Sequence, residues 1–305
     1  MIPAVIERFN REGVPHILIA GELVFKDAAG LAETCHHGCP AVRCRLMRFI
    51  DTHCHLAHGE LRQQAEAVLG RARDAGVVVL VCAAGDLSES KAALALARQH
   101  EGVYFTAGVH PHGAKIAQAD YLERIKALAG DEKCVAVGET GLDYHYNFSP
   151  PEDQRRVFAG QLALAVRVGK PVVVHTREAF DDTLSILAEA GVDGSRIVFH
   201  SFTGSSEQAR RAVEIGAAVG FSGIVTFKNA GALREAAAIV PDDRLLIETD
   251  APYLSPEPVR NMKTNEPANV VHVAACLAAL RGQALEAVAE QTTENAARFF
   301  SLPSS

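Results

Sequence analysis

The sequence predicts a (β/α)8 barrel of the TIM type behind a short amino-terminal extension. Three observations carry this reading. Eight short apolar runs recur from residue 48 onward, helical periods separate them, and ligand-type residues close five of the runs. The runs are RFIDTH (48–53), VVVLVCA (77–83), VYFTAGV (103–109), CVAVGE (134–139), PVVVH (171–175), RIVFH (196–200), AAVGFSG (217–223) and RLLIET (244–249). Their near-continuous apolar character is that of strands buried on both faces, as in parallel sheets covered by helices.

The clearest helix between runs is SPPEDQRRVFAGQLALAVRVGK (149–170). Ser149 and Glu152 have the spacing of a capping box, and the prolines suit a first turn. Phe158, Leu162, Ala165 and Gly169 share one face at helical spacing. A second helix is read in SSEQARRAVEIG (205–216), with Gly216 placed to end it. Eight strand–helix units over about 250 residues are the dimensions of the barrel. The alternative is a doubly wound open sheet, weakened because no G-x-G-x-x-G follows the first run.

The bulk composition limits the function classes. With 305 residues, 48% hydrophobic and 22% charged, the chain can bury one large core. A formal net charge of −7 disfavours a broad electrostatic grip on nucleic acid and leaves open a site where bound cations supply the positive charge. The start, MIPAVIERFNREG, lacks the apolar core of a secretory signal, and the apolar runs fall short of the roughly 20 residues of a membrane span. A cytoplasmic protein without membrane association is the expectation. Seven cysteines, an odd number spread along the chain, do not form a disulfide framework; Cys82, Cys134 and Cys276 read as small buried hydrophobes.

Residues 1–46 stand apart from the barrel at 47–305. They contain one candidate strand, HILIAGELVF (16–25), and the cluster CHHGCPAVRC (35–44). Cys35, Cys39, Cys44 and a histidine are the residue types of a Cys3His zinc set, without the usual paired C-x2-C spacing. Met47 is an alternative start, which would make the extension dispensable.

The chemistry lies at the ends of the runs. Side chains alternate along a strand, so His53 and His55 face the same side. Glu139, His175, His200 and Asp250 each stand at or just after the end of a later run. In a (β/α)8 barrel these ends meet at one face, so six ligand-type residues converge. Each alone is explained by capping a strand or bonding a loop. Together they are not, because burying uncompensated ionisable groups is costly. Four histidines and two carboxylates suit two divalent cations with one bridging carboxylate, zinc or manganese among them. Such cations make water nucleophilic near neutral pH and hold phosphoryl oxygens; a free edge of Asp250 is placed to take the proton.

With these residues in view, the chain resembles the TatD-type metal-dependent deoxyribonucleases of the amidohydrolase superfamily. The resemblance runs from about Met47 to Leu302. It rests on FIDTHCHL (49–56), GVHPH (108–112), GETGLDY (138–144), PVVVHTREA (171–179), FHSFTG (199–204), ETDAPYL (248–254) and TTENAARFF (292–300). It implies a barrel nuclease acting on DNA as a 3′→5′ exonuclease on single strands, with two divalent ions (Mg, Mn or Zn) per chain and a monomeric state. The implied ligands are His53, His55, Glu139, His175, His200 and Asp250, with Glu139 bridging and Asp250 also accepting a proton.

Five further residues follow from position. His110 and His112 are candidates for contacts to phosphate or bound water. Arg177 is a candidate for a bidentate phosphate contact or a surface ion pair. Asp143 and Tyr144 are candidates to orient Glu139 or to line the substrate groove. One departure from the family pattern is Thr264, in RNMKTNEPANV (260–270), where an arginine is common; Lys263 or Arg260 would have to compensate. Two other function classes remain at this level. One is an ester or amide hydrolase on the same barrel, such as an aminoacyl-tRNA deacylase. The other is a non-enzymatic adaptor docking through the Cys/His extension, against which the intact ligand set argues.

Overall fold

The computed structural model describes residues 47–303 and the backbone of two short strands before them. The chain divides into two compact units between Arg45 and Leu46. In the first unit, β1 (His16–Ile19) pairs antiparallel with β2 (Glu22–Phe25), in a register running from His16 opposite Phe25 to Ile19 opposite Glu22. The single strand expected over 16–25 is therefore two shorter strands paired with each other. The cysteine cluster at 35–44 lies outside the described residues.

The second unit is the expected barrel. Eight strands run parallel in sequence order: β3 (Phe49–Cys54), β4 (Val77–Cys82), β5 (Val103–Ala107), β6 (Cys134–Asp143), β7 (Val172–Arg177), β8 (Ile197–Phe199), β9 (Ala218–Phe221) and β10 (Leu245–Ile247). The helices are α1 (Gly59–Gln63), α2 (Ala65–Asp74), α3 (Leu87–Gln99), α4 (Tyr121–Ala129), α5 (Pro151–Val168), α6 (Phe180–Glu189), α7 (Ser206–Glu214), α8 (Gly231–Ile239), α9 (Val270–Arg281) and α10 (Leu285–Phe300). Among them no single helix is long and apolar enough to cross a membrane.

Two apolar layers hold this arrangement. Ile50, Val81, Val135, Val173, Val198, Ala218 and Leu246, from seven strands, pack together with Phe300 and Leu302 of the carboxyl-terminal segment. The larger layer lies on the other side of the strands, where Phe105, Phe199 and Phe221 meet helix residues such as Phe158 and Leu162. Continuous apolar runs are required because each strand is covered on both sides. The seam between β3 and β10 is closed largely by bonds at and beyond the strand ends. Thr52 Oγ1 donates to the Ile247 carbonyl (3.0 Å), Asp250 N–H to the His53 carbonyl (2.9 Å), and His55 N–H to the Ala251 carbonyl (2.7 Å).

Local expectations meet the structure unevenly. Phe158, Leu162 and Ala165 are buried on one face of α5, and Gly169 ends that helix in the left-handed region (φ 66°). Ser205 and Gln208 form a reciprocal capping box on α7. Ser149, by contrast, does not cap α5, which starts from Pro150. Its buried hydroxyl instead donates to the His112 carbonyl (2.8 Å) and accepts from Lys115 N–H (3.0 Å). A long-range polar demand has outcompeted the local cap.

Cys82 and Cys134 are buried, as expected, and Cys276 only partly so. Burial pushes the Cys82 and Cys134 thiols up to about 12, so thiolate is scarce at pH 8. Native protein treated with iodoacetamide at pH 8 is expected to leave Cys82 and Cys134 unmodified, whereas unfolded protein modifies both. Peptide mass spectrometry reads this, and rapid native labelling of either cysteine would contradict the packing.

Candidate metal centre

Period-two alternation and two breaks in register bring the ligand-type residues to one mouth. His175 lies two residues beyond the inward Val173, and His200 two beyond Val198, so both point inward. His53 is out of phase with Ile50; the irregularity in the β3–β4 pairing between Asp51 and Cys54 turns it in. A second shift between Val137 and Thr140 lies around Glu139. Gly141 permits a crowded crossing here: its φ is 142°, and a Cβ would collide with the His175 carbonyl oxygen.

Glu139 sits at the centre, 2% exposed. Its Oε1 faces His200 Nε2 (2.7 Å), His175 Nδ1 (3.0 Å) and His110 Nε2 (3.2 Å). Its Oε2 faces His53 Nε2 (3.3 Å) and His55 Nε2 (3.8 Å). Asp250 Oδ1 completes the outer side, 3.4 Å from His55 Nε2 and 3.8 Å from His53 Nε2. Asp250 adopts φ 55°, a left-handed conformation that aspartate tolerates better than most residues. Three sets of donor atoms each lie within 4.8 Å of one another: His53, Glu139 and His200; His53, His55 and Asp250; and His110, Glu139 and His175.

The electrostatics of this cluster are those of a carboxylate among imidazoles. Burial alone would raise the Glu139 pKa, but His200, His110 and His53 outweigh it and hold the group well below the usual carboxylate range. Burial alone would lower His200, and Glu139 and Glu248 instead hold it well above the usual histidine value. Burial pushes His110 down to about 4. The donor set fits divalent metal. His53 Nε2 and His55 Nε2 lie 3.4 Å apart and both face Glu139 Oε2 and Asp250 Oδ1, a convergence of nitrogen and oxygen donors, and among the described residues His53 Nδ1 is buried with no hydrogen-bond partner.

The remaining expected residues divide. Asp143 is buried and orients two histidines rather than Glu139: His175 Nε2 (3.1 Å) and His112 Nε2 (3.0 Å) both meet its Oδ2. His175 thereby turns Nδ1 toward Glu139, the arrangement in which a carboxylate fixes a ligating imidazole. His112 stands at the edge of the cluster, its ring against Phe148 (4.7 Å between centroids). Arg177 lies over the Tyr146 ring at 5.0 Å and makes no ion pair among the described residues. Tyr144 belongs elsewhere: its hydroxyl donates to Asp182 (2.8 Å) and accepts from Arg155 (2.9 Å). Thr264 donates to Glu60 (3.2 Å), and Arg260 stacks on Phe227 (4.0 Å), so neither reaches the cluster. Buried Asn265 donates to the Thr249 and Tyr253 carbonyls, fixing the chain that carries Asp250.

Sequence reasoning missed Glu248. It is 1% exposed, accepts from Ser201 N–H, and lies 3.3 Å from His200 Nδ1. The count that finds His175 from Val173 would have found it, two residues beyond the inward Leu246. Asp51 was also missed. It accepts from Thr249 Oγ1 (2.5 Å) and Thr249 N–H (2.9 Å) beneath the histidines, and burial pushes it up to about 8.

Comparison with known proteins places this geometry. The model of the TatD-related DNases matches residues 50–301. The chain belongs to the TatD-related DNase family. Similar proteins include an uncharacterised metal-dependent hydrolase, YcfH, of Escherichia coli K12 (41% identical over 264 residues, 85% of this chain and 98% of the relative). Another is YabD of Bacillus subtilis 168, also named an uncharacterised metal-dependent hydrolase (40% over 250 residues, 82% and 98%). A third, from Dickeya dadantii, is named a 3′-5′ ssDNA/RNA exonuclease TatD (38% over 255 residues, 82% and 97%). The crystal structure of YJJV, a TatD homologue of Escherichia coli K12, superposes with a TM-score of 0.80 at 32% identity, covering 85% of this chain and all of that one. The chain is therefore a metal-dependent hydrolase of this family.

Two substitutions test the supports of the cluster. Asp143→Ala releases His175, and an apparent metal affinity lower by about 10–100-fold is expected in chelator competition. Gly220→Ala would place a Cβ 2.7 Å from the buried Glu248 carboxylate. The expected outcome is a loss of about 1–3 kcal/mol in denaturant unfolding, as for other overpacked sites.

Proposed function

We propose that this chain is a two-metal phosphodiesterase that removes nucleotides from the 3′ end of single-stranded DNA. The observation that carries this reading is the division of Glu139: one carboxylate oxygen faces His175 and His200, the other His53 and His55. In this reading Glu139 would help hold two divalent ions, one together with His53, His55 and Asp250 and the other together with His175 and His200. Mixed nitrogen and oxygen donors suit Mg, Mn or Zn, of which the borderline ions fit the histidines best. When bound, the ions render water nucleophilic at neutral pH and neutralise phosphoryl charge.

The chain's own groups supply the rest. Asp250, partly exposed at the mouth, takes the proton of the attacking water on a carboxylate oxygen. His110 donates to a phosphoryl oxygen or bound water, and Arg177 contacts the non-bridging oxygens of the next phosphate. The water oxygen forms a new bond to phosphorus, the P–O3′ bond breaks, and the departing O3′ takes a proton from solvent to become the new 3′ hydroxyl, while the released nucleotide carries the phosphate. The name of the Dickeya relative supports a single-stranded nucleic-acid substrate. Residues 47–305 form the hydrolase unit, which acts as a cytoplasmic monomer without membrane association, and residues 1–46 are an appendage.

Metal analysis of purified protein is expected to find up to two divalent ions per chain. With end-labelled single-stranded DNA and Mg or Mn, nucleotides should be lost from the 3′ end only. Asp250→Ala should slow the reaction by about 10²–10⁴-fold, and His175→Ala should lower both metal content and rate. Failure to cleave any phosphodiester across metals, beside cleavage of aminoacyl-tRNA, would transfer the assignment to ester hydrolysis. A chain starting at Met47 should keep its activity and thermal midpoint.

A further inference from the structure

The loop after β6 carries two aromatic side chains that the metal cluster does not use. Tyr146 and Phe148 are 49% and 55% exposed, unusual for rings of this size. They are stacked on each other, with centroids 5.4 Å apart and planes at 24°. The Arg177 guanidinium lies over Tyr146, and the His112 ring meets Phe148 edge-on. Both rings border the same cavity of about 860 Å³ that contains Glu139, His175 and Asp250. An apolar neighbour, Ile116, is 75% exposed on the same cavity.

The loop that presents them is tied down. Asp143 Oδ1 accepts Tyr146 N–H (2.8 Å), while Oδ2 of the same carboxylate meets His175 and His112. Gln154, fully buried, donates to the Asp143 carbonyl (3.0 Å) and the Ser149 carbonyl (2.7 Å). One buried carboxylate thus sets both a histidine of the cluster and the base of the aromatic loop. The backbone that carries the rings is thus anchored to the cluster, which lowers the ordering cost of a ligand that uses both.

We propose that Tyr146 and Phe148 form a stacking platform for an unpaired base of the substrate strand while its 3′-terminal phosphodiester lies at the metal cluster; this rests on the nucleic-acid reading above. Aromatic rings accept any base face, and an adjacent guanidinium adds attraction to the ring and the backbone phosphate. A base paired in a duplex hides its face against its neighbours, so the platform favours single strands and frayed ends. It is sequence-tolerant, and it makes Tyr146 and Phe148 positioning residues rather than catalytic ones.

The test uses the full metal-loaded chain and a thymidine oligonucleotide carrying 2-aminopurine at its 3′ end, with terminal phosphorothioate linkages to slow cleavage. Wild-type protein should quench the 2-aminopurine fluorescence, and the double variant Tyr146→Ala, Phe148→Ala should not. On an unmodified oligonucleotide that variant should raise KM about tenfold or more with kcat within about threefold, given the usual strength of base–aromatic stacking. Tyr146→Phe and Phe148→Tyr keep a ring and should restore both readouts, separating stacking from a loss of loop structure. If wild type cleaves the oligonucleotide while the double variant retains both quenching and KM, the platform is overturned and the nuclease reading stands. If wild type neither binds nor cleaves any oligonucleotide, the nuclease reading falls and the platform with it.

Discussion

The buried carboxylate of Glu139 is the constraint around which the rest of the mouth is organised. A lone carboxylate at 2% exposure is costly, and the protein compensates it with histidines from four strands or their following loops. That solution has its own cost: imidazole nitrogens brought within about van der Waals distance of each other compete for few protons. Divalent metal resolves the competition, because one ion satisfies several lone pairs at once. The dependence on metal in this family is thus legible as a packing problem as well as a catalytic one.

The supports around Glu139 are of two kinds. Asp143 and Glu248 are buried carboxylates that meet the far nitrogens of His175 and His200 and so fix how those rings turn. Asp51, Thr249 and Asn265 act on backbone, holding the segment that carries Asp250 against β3. Histidine orientation and carboxylate position are therefore controlled separately. Exposure is graded across the cluster: His53 is sealed within the barrel, His200 is buried but borders the cavity, and His55, Asp250, His110 and His175 are the more open to it. A substrate approaches from the side where the carboxylate and imidazole edges are still accessible.

Much of the barrel was legible because its signals are local. Apolar runs of strand length, separated by amphipathic helices, admit few architectures, and the ligand types at the run ends were visible by inspection. What failed was the inference from adjacency to contact. Asp143 borders the cavity, one of the two roles expected of it, but its carboxylate serves His175 rather than Glu139, because β6 and β7 lie side by side. Tyr144, next in line, faces away to Asp182 by alternation. Ser149 has the spacing of a cap and spends its hydroxyl on His112 and Lys115. Glu248 is hidden in sequence because Thr249 and Asp250 follow it, so three consecutive polar residues close the segment and alternation must be counted from Leu246 to tell which of them point inward.

By itself the sequence determined the class of fold, the family through its ordered motifs, and the residue types that gather at the barrel mouth. These depend on period, composition and spacing along the chain, which sequence carries directly. Only the tertiary structure decided which nitrogen meets which oxygen, that Asp143 joins the histidine cluster to the Tyr146–Phe148 loop, and that Thr264 and Arg260 stay clear of it. Those outcomes turn on register shifts in β3 and β6 and on contacts between residues distant along the chain. A one-residue break in a strand changes which face a side chain takes, and no local pattern announces it.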